Sequence, residues 1–239
     1  MQNNKKTRLL ADLTLLLVAF LWGTTFVGSK AILTYFSPMY IIAIRFILAT
    51  AFMSLIFHKK LKEIKKSDLK NGGLVGVVLF VAFALQLIGL QYTTAGKQAF
   101  LAGTYVVMVP FLVWALYRKR PDLRAFLGAL VCFVGIGFLT LNESFSIGFG
   151  DTITLISSAF FAGHIMINGY FAKKIDVVIL SIVQFGTLAL LSLVAALLFE
   201  KVPTNVPVTA WAGVVYLGIF CSALAYFLQT VAQKYTIST

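Results

Sequence analysis

Residues 74–98 read LVGVVLFVAFALQLIGLQYTTAGKQ: a long apolar run, then a polar corner at Gln91-Tyr92-Thr93-Thr94-Ala95-Gly96-Lys97. A bilayer core is crossed by about 20 apolar residues in a helix, so the run is long enough to span. The pattern returns at residues 214–239 as VVYLGIFCSALAYFLQTVAQKYTIST. Aligning Tyr92 with Tyr235 also pairs Gln86 with Gln229, Ala82 with Ala225, Phe83 with Tyr226 and Thr93 with Thr236, at one constant offset. A long apolar helix holding one amide and closed by Tyr-Thr, occurring twice, points to internal duplication in a membrane protein.

Composition agrees. The chain is 60% hydrophobic and 12% charged, whereas soluble domains carry about 25% charged residues. A chain of this length cannot bury that much apolar surface in a water-soluble core, so lipid is the solvent. The net charge of +12 does not call for nucleic acid, because the basic residues fall in short gaps between apolar runs. Cys132 and Cys221 both lie inside apolar runs and read as small buried hydrophobes rather than a disulfide or zinc site. The run after the basic tail Lys5, Lys6, Arg8 is too long for a signal peptide and has no small-residue cleavage site.

Eight transmembrane helices are expected, at residues 11–33, 39–57, 71–91, 97–117, 124–141, 151–171, 177–199 and 208–232. The loops between them are short, which makes successive helices antiparallel neighbours. The runs are too long, and alternate too little, for barrel strands. With the N-terminus placed in the cytoplasm, the inner segments collect Lys5, Lys6, Arg8, Lys59, Lys60, Lys62, Lys65, Lys66, Lys70, Arg118, Lys119, Arg120, Arg124, Lys173, Lys174 and Lys234. The outer ones keep only Lys30, Lys97 and Lys201, and Arg45 falls within a helix. This is the positive-inside pattern. The first Tyr-Thr corner then lies outside and the second inside, so the two copies run in opposite senses and the repeat unit holds five helices. Asp12 with Asp151 and Arg45-Phe46 with Gln184-Phe185 pair at an offset of 139, and Gly23 with Gly163 at 140, close to the 143 of the corner. Inverted repeats are a signature of secondary transporters, with the solute site near the midplane where the repeats meet.

The chain resembles the EamA-type branch of the drug/metabolite transporter superfamily. The likeness rests on Trp22-Gly23-Thr24-Thr25-Phe26 with Lys30, then Pro38 and Arg45-Phe46. It continues through Tyr92-Thr93-Thr94-Ala95-Gly96-Lys97-Gln98-Ala99-Phe100-Leu101, Pro110, and the glycine series Gly128, Gly135, Gly137. The resemblance implies an all-α fold of ten helices in two inverted five-helix repeats. Residues 11–141 correspond to the first repeat and 151–239 to an incomplete second repeat of three helices. The implied activity is export of a small metabolite, such as an amino acid or related solute, through the inner (plasma) membrane. Two departures stand out: the chain stops at Thr239, where the family pattern has two more helices, and Asp176-Val177 replaces the proline that often opens the seventh helix.

Polar residues inside the runs are the candidate site. Arg45 sits about 10 Å into its helix from Pro38, where an arginine costs a few kcal/mol unless paired or hydrated. It reads either as a structural brace or as an anchor for a substrate carboxylate. His164 and Asn168 share one helix face with Ser157 and Phe161; Trp22, Thr25, Phe26 and Ser29 share another. These two faces belong to equivalent helices and are expected to oppose each other across a cavity. Gln86 and Gln229 line that cavity or bond between helices. The expected lining is thus Trp22, Thr25, Phe26, Arg45, Gln86, Phe161, His164, Asn168 and Gln229. Lys97 reads as a charge at the outer mouth, Pro110 as a helix kink, and the glycine series as close helix contacts.

No carboxylate lies deep in any run, so the usual carboxylate proton relay has no carrier, and His164 is the intramembrane group suited to titrate near neutral pH. A phosphate loop, HExxH, GxSxG and CxxC are all missing from the sequence. No enzyme activity, cofactor or metal is therefore expected. The expected partners are a small solute, the lipid bilayer and, as an open option, a second copy in a homodimer. The competing readings are a non-transporting truncated membrane protein and an intramembrane enzyme acting on lipid.

Overall fold

The computed structural model describes residues 2–118, 120, 122–144 and 147–232. Among these residues ten α-helices follow in chain order: α1 (Gln2–Ile32), α2 (Pro38–Ile56), α3 (Lys66–Gln91), α4 (Ala95–Gly103), α5 (Tyr105–Tyr117), α6 (Leu123–Ser144), α7 (Phe149–Phe171), α8 (Val177–Phe199), α9 (Val208–Tyr216) and α10 (Ala225–Ala232). A 3-10 turn covers His58–Glu63, and a π-helical segment, Leu217–Leu224, joins α9 to α10. No strand occurs among the described residues. Seven segments among them are long and apolar enough to cross a membrane, α4–α5 and α9–α10 each counting as one. The run expected at 124–141 corresponds to α6, Leu123–Ser144. The second Tyr-Thr corner, Tyr235-Thr236, and Lys234 lie outside the described residues.

Differences from the expected boundaries have local causes. Helix α1 starts well before residue 11, because Gln, Lys and Arg are good helix formers and no breaker precedes the apolar run. Helix α3 starts at Lys66 because the Asp68 carboxylate accepts from the Lys65 N–H at 3.0 Å, which caps its first turn. The run 97–117 is interrupted at Thr104, whose hydroxyl donates to the Leu101 carbonyl at 2.6 Å. Pro110 lies inside α5, so the break is upstream of the expected kink. Helix α8 opens without the family proline: Asp176 Oδ1 accepts from Val178 N at 2.9 Å and Ile179 N at 3.4 Å. An N-cap carboxylate does there what a first-turn proline does elsewhere.

Loop contacts sort the helix ends into two sides. At one end Lys30 Nζ donates to the carbonyls of Leu90 (2.6 Å) and Thr93 (2.8 Å), which ties the end of α1 to the end of α3. At the same end Glu200, just after α8, accepts from the backbone N–H of Met39 (2.9 Å) and Tyr40 (3.1 Å) at the start of α2. At the other end Lys60 stands 3.5 Å from Asp176. Burial pushes the Glu200 carboxyl above its ordinary range, against the two backbone donors that favour its charged form. Ser37 makes no side-chain cap, so Glu200 is the cap of α2. Glu200→Ala strands two helix N–H groups and is expected to cost about 1–2 kcal/mol. Glu200→Gln keeps one acceptor and should cost less. Thermal melting of the detergent-purified protein checks this, and equal melting of all three forms would remove the cap.

The core sits where α2, α3, α7 and α8 pack: α2 on α8, and α3 on both α7 and α8. Glycine permits the close approaches. A Cβ on Gly76 would lie 2.7 Å from the Gln184 carbonyl oxygen in α8, and one on Gly150 would lie 2.7 Å from the Gly89 carbonyl in α3. The expected glycine series divides. Among the described residues a Cβ on Gly128 meets nothing within 4 Å, whereas one on Gly135 would lie 2.8 Å from the Phe100 ring in α4, a close contact between helices. Gly137 lies in α6 at a position whose surroundings are not described. Among the described residues, close contacts between helices fall at Gly72, Gly76, Gly89, Gly135, Gly150 and Gly218.

Candidate functional site

A cavity of about 230 Å³ opens between the helices. Its wall draws on α1 (Trp22, Thr25, Phe26), α2 (Arg45), α3 (Phe83, Gln86), α4 and α5 (Ala102, Tyr105), α7 (Phe161, His164) and α10 (Tyr226, Gln229). Eight of the nine residues expected to line a cavity meet here. Asn168 does not. It is fully buried behind the wall, where its Nδ2 donates to Thr230 Oγ1 at 3.3 Å and its Oδ1 accepts from Gln184 Nε2 at 3.5 Å. The turn beyond His164 faces α8 and α10 rather than the cavity, a direction that helical spacing alone leaves open.

The aromatic wall is continuous. Trp22 and Tyr226 have ring centroids 5.0 Å apart, Phe46 and Phe83 5.0 Å, and Phe83 and Phe161 5.3 Å. Such pairs each add about 0.5–1.5 kcal/mol beyond area burial and hold the wall in shape. Residues paired in the internal alignment touch each other: Phe46 lies 5.6 Å from Phe185, and Phe83 lies 6.0 Å from Tyr226. Tyr226, Phe83 and Tyr105 belong to the wall and were absent from the expected lining. The alignment had already paired Phe83 with Tyr226, so that pair was readable as a symmetric aromatic position. Tyr105 was not, because it follows the break at Thr104.

Arg45 is 1% exposed. Its Nε donates to Ser222 Oγ at 3.1 Å, and its guanidinium carbon lies 5.2 Å from the Phe83 ring centre and 5.7 Å from that of Phe46. Its Nη1 is buried with no partner among the described residues. The π-helical winding presents Ser222, whose hydroxyl also donates to the Leu217 carbonyl at 2.9 Å. Wide turns of this kind recur at functional sites. Gly218 lets the segment close on α2: a Cβ there would lie 3.0 Å from the Arg45 carbonyl.

His164 is braced from behind, its Nε2 lying 3.0 Å from Gln184 Oε1. The polar chain runs on through Asn168 and Thr230 to the Tyr226 carbonyl. Gln184, the alignment partner of Arg45, therefore orients the histidine. The other polar positions work between helices. Gln98 Nε2 donates to the Gln86 carbonyl at 2.5 Å and to Thr154 Oγ1 at 3.2 Å, and Ser157 donates to the Ala82 carbonyl at 2.9 Å. At the end of the bundle that holds Lys30, Lys97 Nζ lies 2.6 Å from Asp151 Oδ2, and Thr93 Oγ1 donates to Asp151 Oδ1 at 2.8 Å. Lys97 is thus one half of an ion pair between α4 and α7, not a free mouth charge. Among the described residues no three His, Cys, Asp or Glu side chains stand close enough to hold a metal.

The model of the EamA-like transporter family matches residues 9–141 and 148–239. Two uncharacterized transporters of Archaeoglobus fulgidus are similar. One is 32% identical over 232 residues, covering 97% of this chain and 72% of the relative. The other is 30% identical over 249 residues, covering 99% and 83%. The uncharacterized transporter YyaM of Bacillus subtilis is 28% identical over 219 residues, covering 85% of this chain and 71% of its own length. A solved crystal structure at 19% identity has a TM-score of 0.72 over 94% of this chain and 79% of that one, a likeness of fold. With an apolar helical bundle, a central cavity and family matches over both halves of the sequence, the chain belongs to the EamA-like transporter family, and it is a multi-span membrane transporter.

Proposed function

We propose that the protein is a secondary transporter of the plasma membrane that exports a small, partly apolar metabolite, an amino acid or related solute, by alternating access. The N-terminus lies in the cytoplasm, and residues 11–141 and 151–239 form inverted repeats around the cavity. The observation that carries this reading is that one cavity takes its wall from both halves: Trp22, Phe26 and Arg45 from the first, Phe161, His164 and Tyr226 from the second. Contacts between aligned residues, Phe46 with Phe185 and Phe83 with Tyr226, support a pseudo-two-fold axis through the middle of the bundle. A volume of about 230 Å³ is below the roughly 300–1,000 Å³ of drug-sized sites, which favours a small solute. The ties at one end, Lys97 to Asp151 and Lys30 to the α3 carbonyls, support closure on that side.

Trp22→Ala and His164→Ala are expected to abolish export with protein level unchanged, because one removes a wall ring and the other the braced polar group. Metabolite tolerance and efflux in cells overproducing the protein measure this. Wild-type efflux in both variants would take the cavity out of the transport path. Single cysteines introduced at exposed Thr94 and Lys59 test the sidedness with an impermeant thiol probe. Thr94 should label from outside and Lys59 should not.

A further inference from the structure

We propose that the cavity selects a small apolar monocarboxylate over zwitterionic and uncharged solutes of the same shape, with Arg45 as the anchor of the carboxylate. The inference rests on the cavity being the solute site and narrows the proposed solutes, setting aside amino acids in favour of their relatives that lack the ammonium group. Among the described residues that line the cavity, Arg45 is the only charged side chain and none is a carboxylate. Its guanidinium is held on three sides: Nε is committed to Ser222, and the rings of Phe83 and Phe46 flank the carbon. Nη1 is left buried and without a partner among the described residues. A fully buried guanidinium with an open donor is what a carboxylate oxygen completes, by a charge-assisted bond in a site of low polarity.

The remainder of the wall sets the body of the solute. Trp22, Phe26, Phe161 and Tyr226 offer ring faces and edges. Gln229 Oε1 is a second buried polar atom of the wall without a partner among the described residues, and it takes one neutral donor, such as a hydroxyl. An α-amino acid would bring an ammonium group into the same space, with amide oxygens and no anion to meet it. Charge counting therefore separates the free acid from the amino acid, although both have a carboxylate for Arg45. Electroneutrality of the loaded cavity favours one negative charge on the solute.

The test uses the full chain in lipid nanodiscs with three probes of one shape: 3-phenylpropionate, 3-phenylpropanamide and L-phenylalanine. Binding is followed by the change in tryptophan fluorescence, to which Trp22 in the wall contributes. The acid is expected to bind roughly ten- to hundredfold more tightly than either analogue, the range for one charge-assisted bond. Arg45→Gln is expected to erase the preference for acid over amide, and Arg45→Lys to restore part of it. The three-probe comparison on the unmodified chain stands even if the variants do not fold. Equal binding of acid and amide, tighter binding of the amino acid, or an Arg45→Gln protein that still prefers the acid would each overturn the assignment. Counterflow in proteoliposomes separates this from the transport reading. Acid preference without counterflow leaves the solute class standing and removes transport through this cavity; counterflow with no acid preference does the reverse.

Discussion

Lys97→Met is expected to destabilise the protein by about 2–3 kcal/mol, more than Asp151→Asn. Breaking a buried ion pair costs about 3–5 kcal/mol because one charge is left without compensation. Here the two partners are unequally sealed: the Asp151 side chain is 4% exposed and that of Lys97 24%. Losing Lys97 leaves a nearly dry carboxylate, softened only by its bonds to Thr93 Oγ1 (2.8 Å) and Gly148 N (3.0 Å). Losing the charge of Asp151 leaves an ammonium that still reaches water. The double variant Lys97→Met with Asp151→Asn should recover part of the loss, since neither group then carries an unpaired charge. Melting temperatures of the four proteins in detergent form the cycle. Strict additivity, or a larger loss for Asp151→Asn, would contradict a sealed pair between α4 and α7.

Gly76→Ala is expected to destabilise by about 1–3 kcal/mol, while Gly23→Ala is expected to be neutral or slightly stabilising. The two substitutions add the same methyl group. At Gly76 it would lie 2.7 Å from the Gln184 carbonyl oxygen and 2.7 Å from Thr187 Cβ, both in α8, so the helices must part. At Gly23 nothing among the described residues lies within 4 Å, and alanine is the better helix former. The strained contact also holds Gln184, which orients His164, so Gly76→Ala should impair efflux beyond its effect on folding. Melting curves and efflux of both variants decide it. Equal behaviour of the two would mean that α3 and α8 are not in close contact along this seam.

The helices could be read residue by residue because lipid imposes one rule on every span: an uninterrupted apolar run with its backbone bonded internally. The expected runs correspond to helices for that reason. Eight of the nine expected wall residues also came together, since a polar or aromatic face on a spanning helix has few places to point. The alignment that paired Phe83 with Tyr226 and Phe46 with Phe185 named ring pairs that stand within 6.0 Å of each other. Asn168 was missed by one helical turn, and Tyr105 by the break at Thr104. Neither can be seen in spacing alone, because the rotation of a helix about its axis depends on which neighbour it meets.

The sequence by itself determined the solvent, the class of fold, the helical runs and eight residues of the cavity wall, because hydrophobicity and its interruptions are local properties. Tertiary structure alone decided which glycines carry close contacts, that Glu200 caps α2, that Lys97 is paired with Asp151, and that Arg45 Nη1 meets no partner among the described residues. Each of these depends on a group far away in the chain. Met39 meets Glu200, Arg45 meets Ser222 through a π-wound turn, and Gly76 meets Gln184. Whether a buried polar group finds its partner is settled by packing, which no single helix encodes.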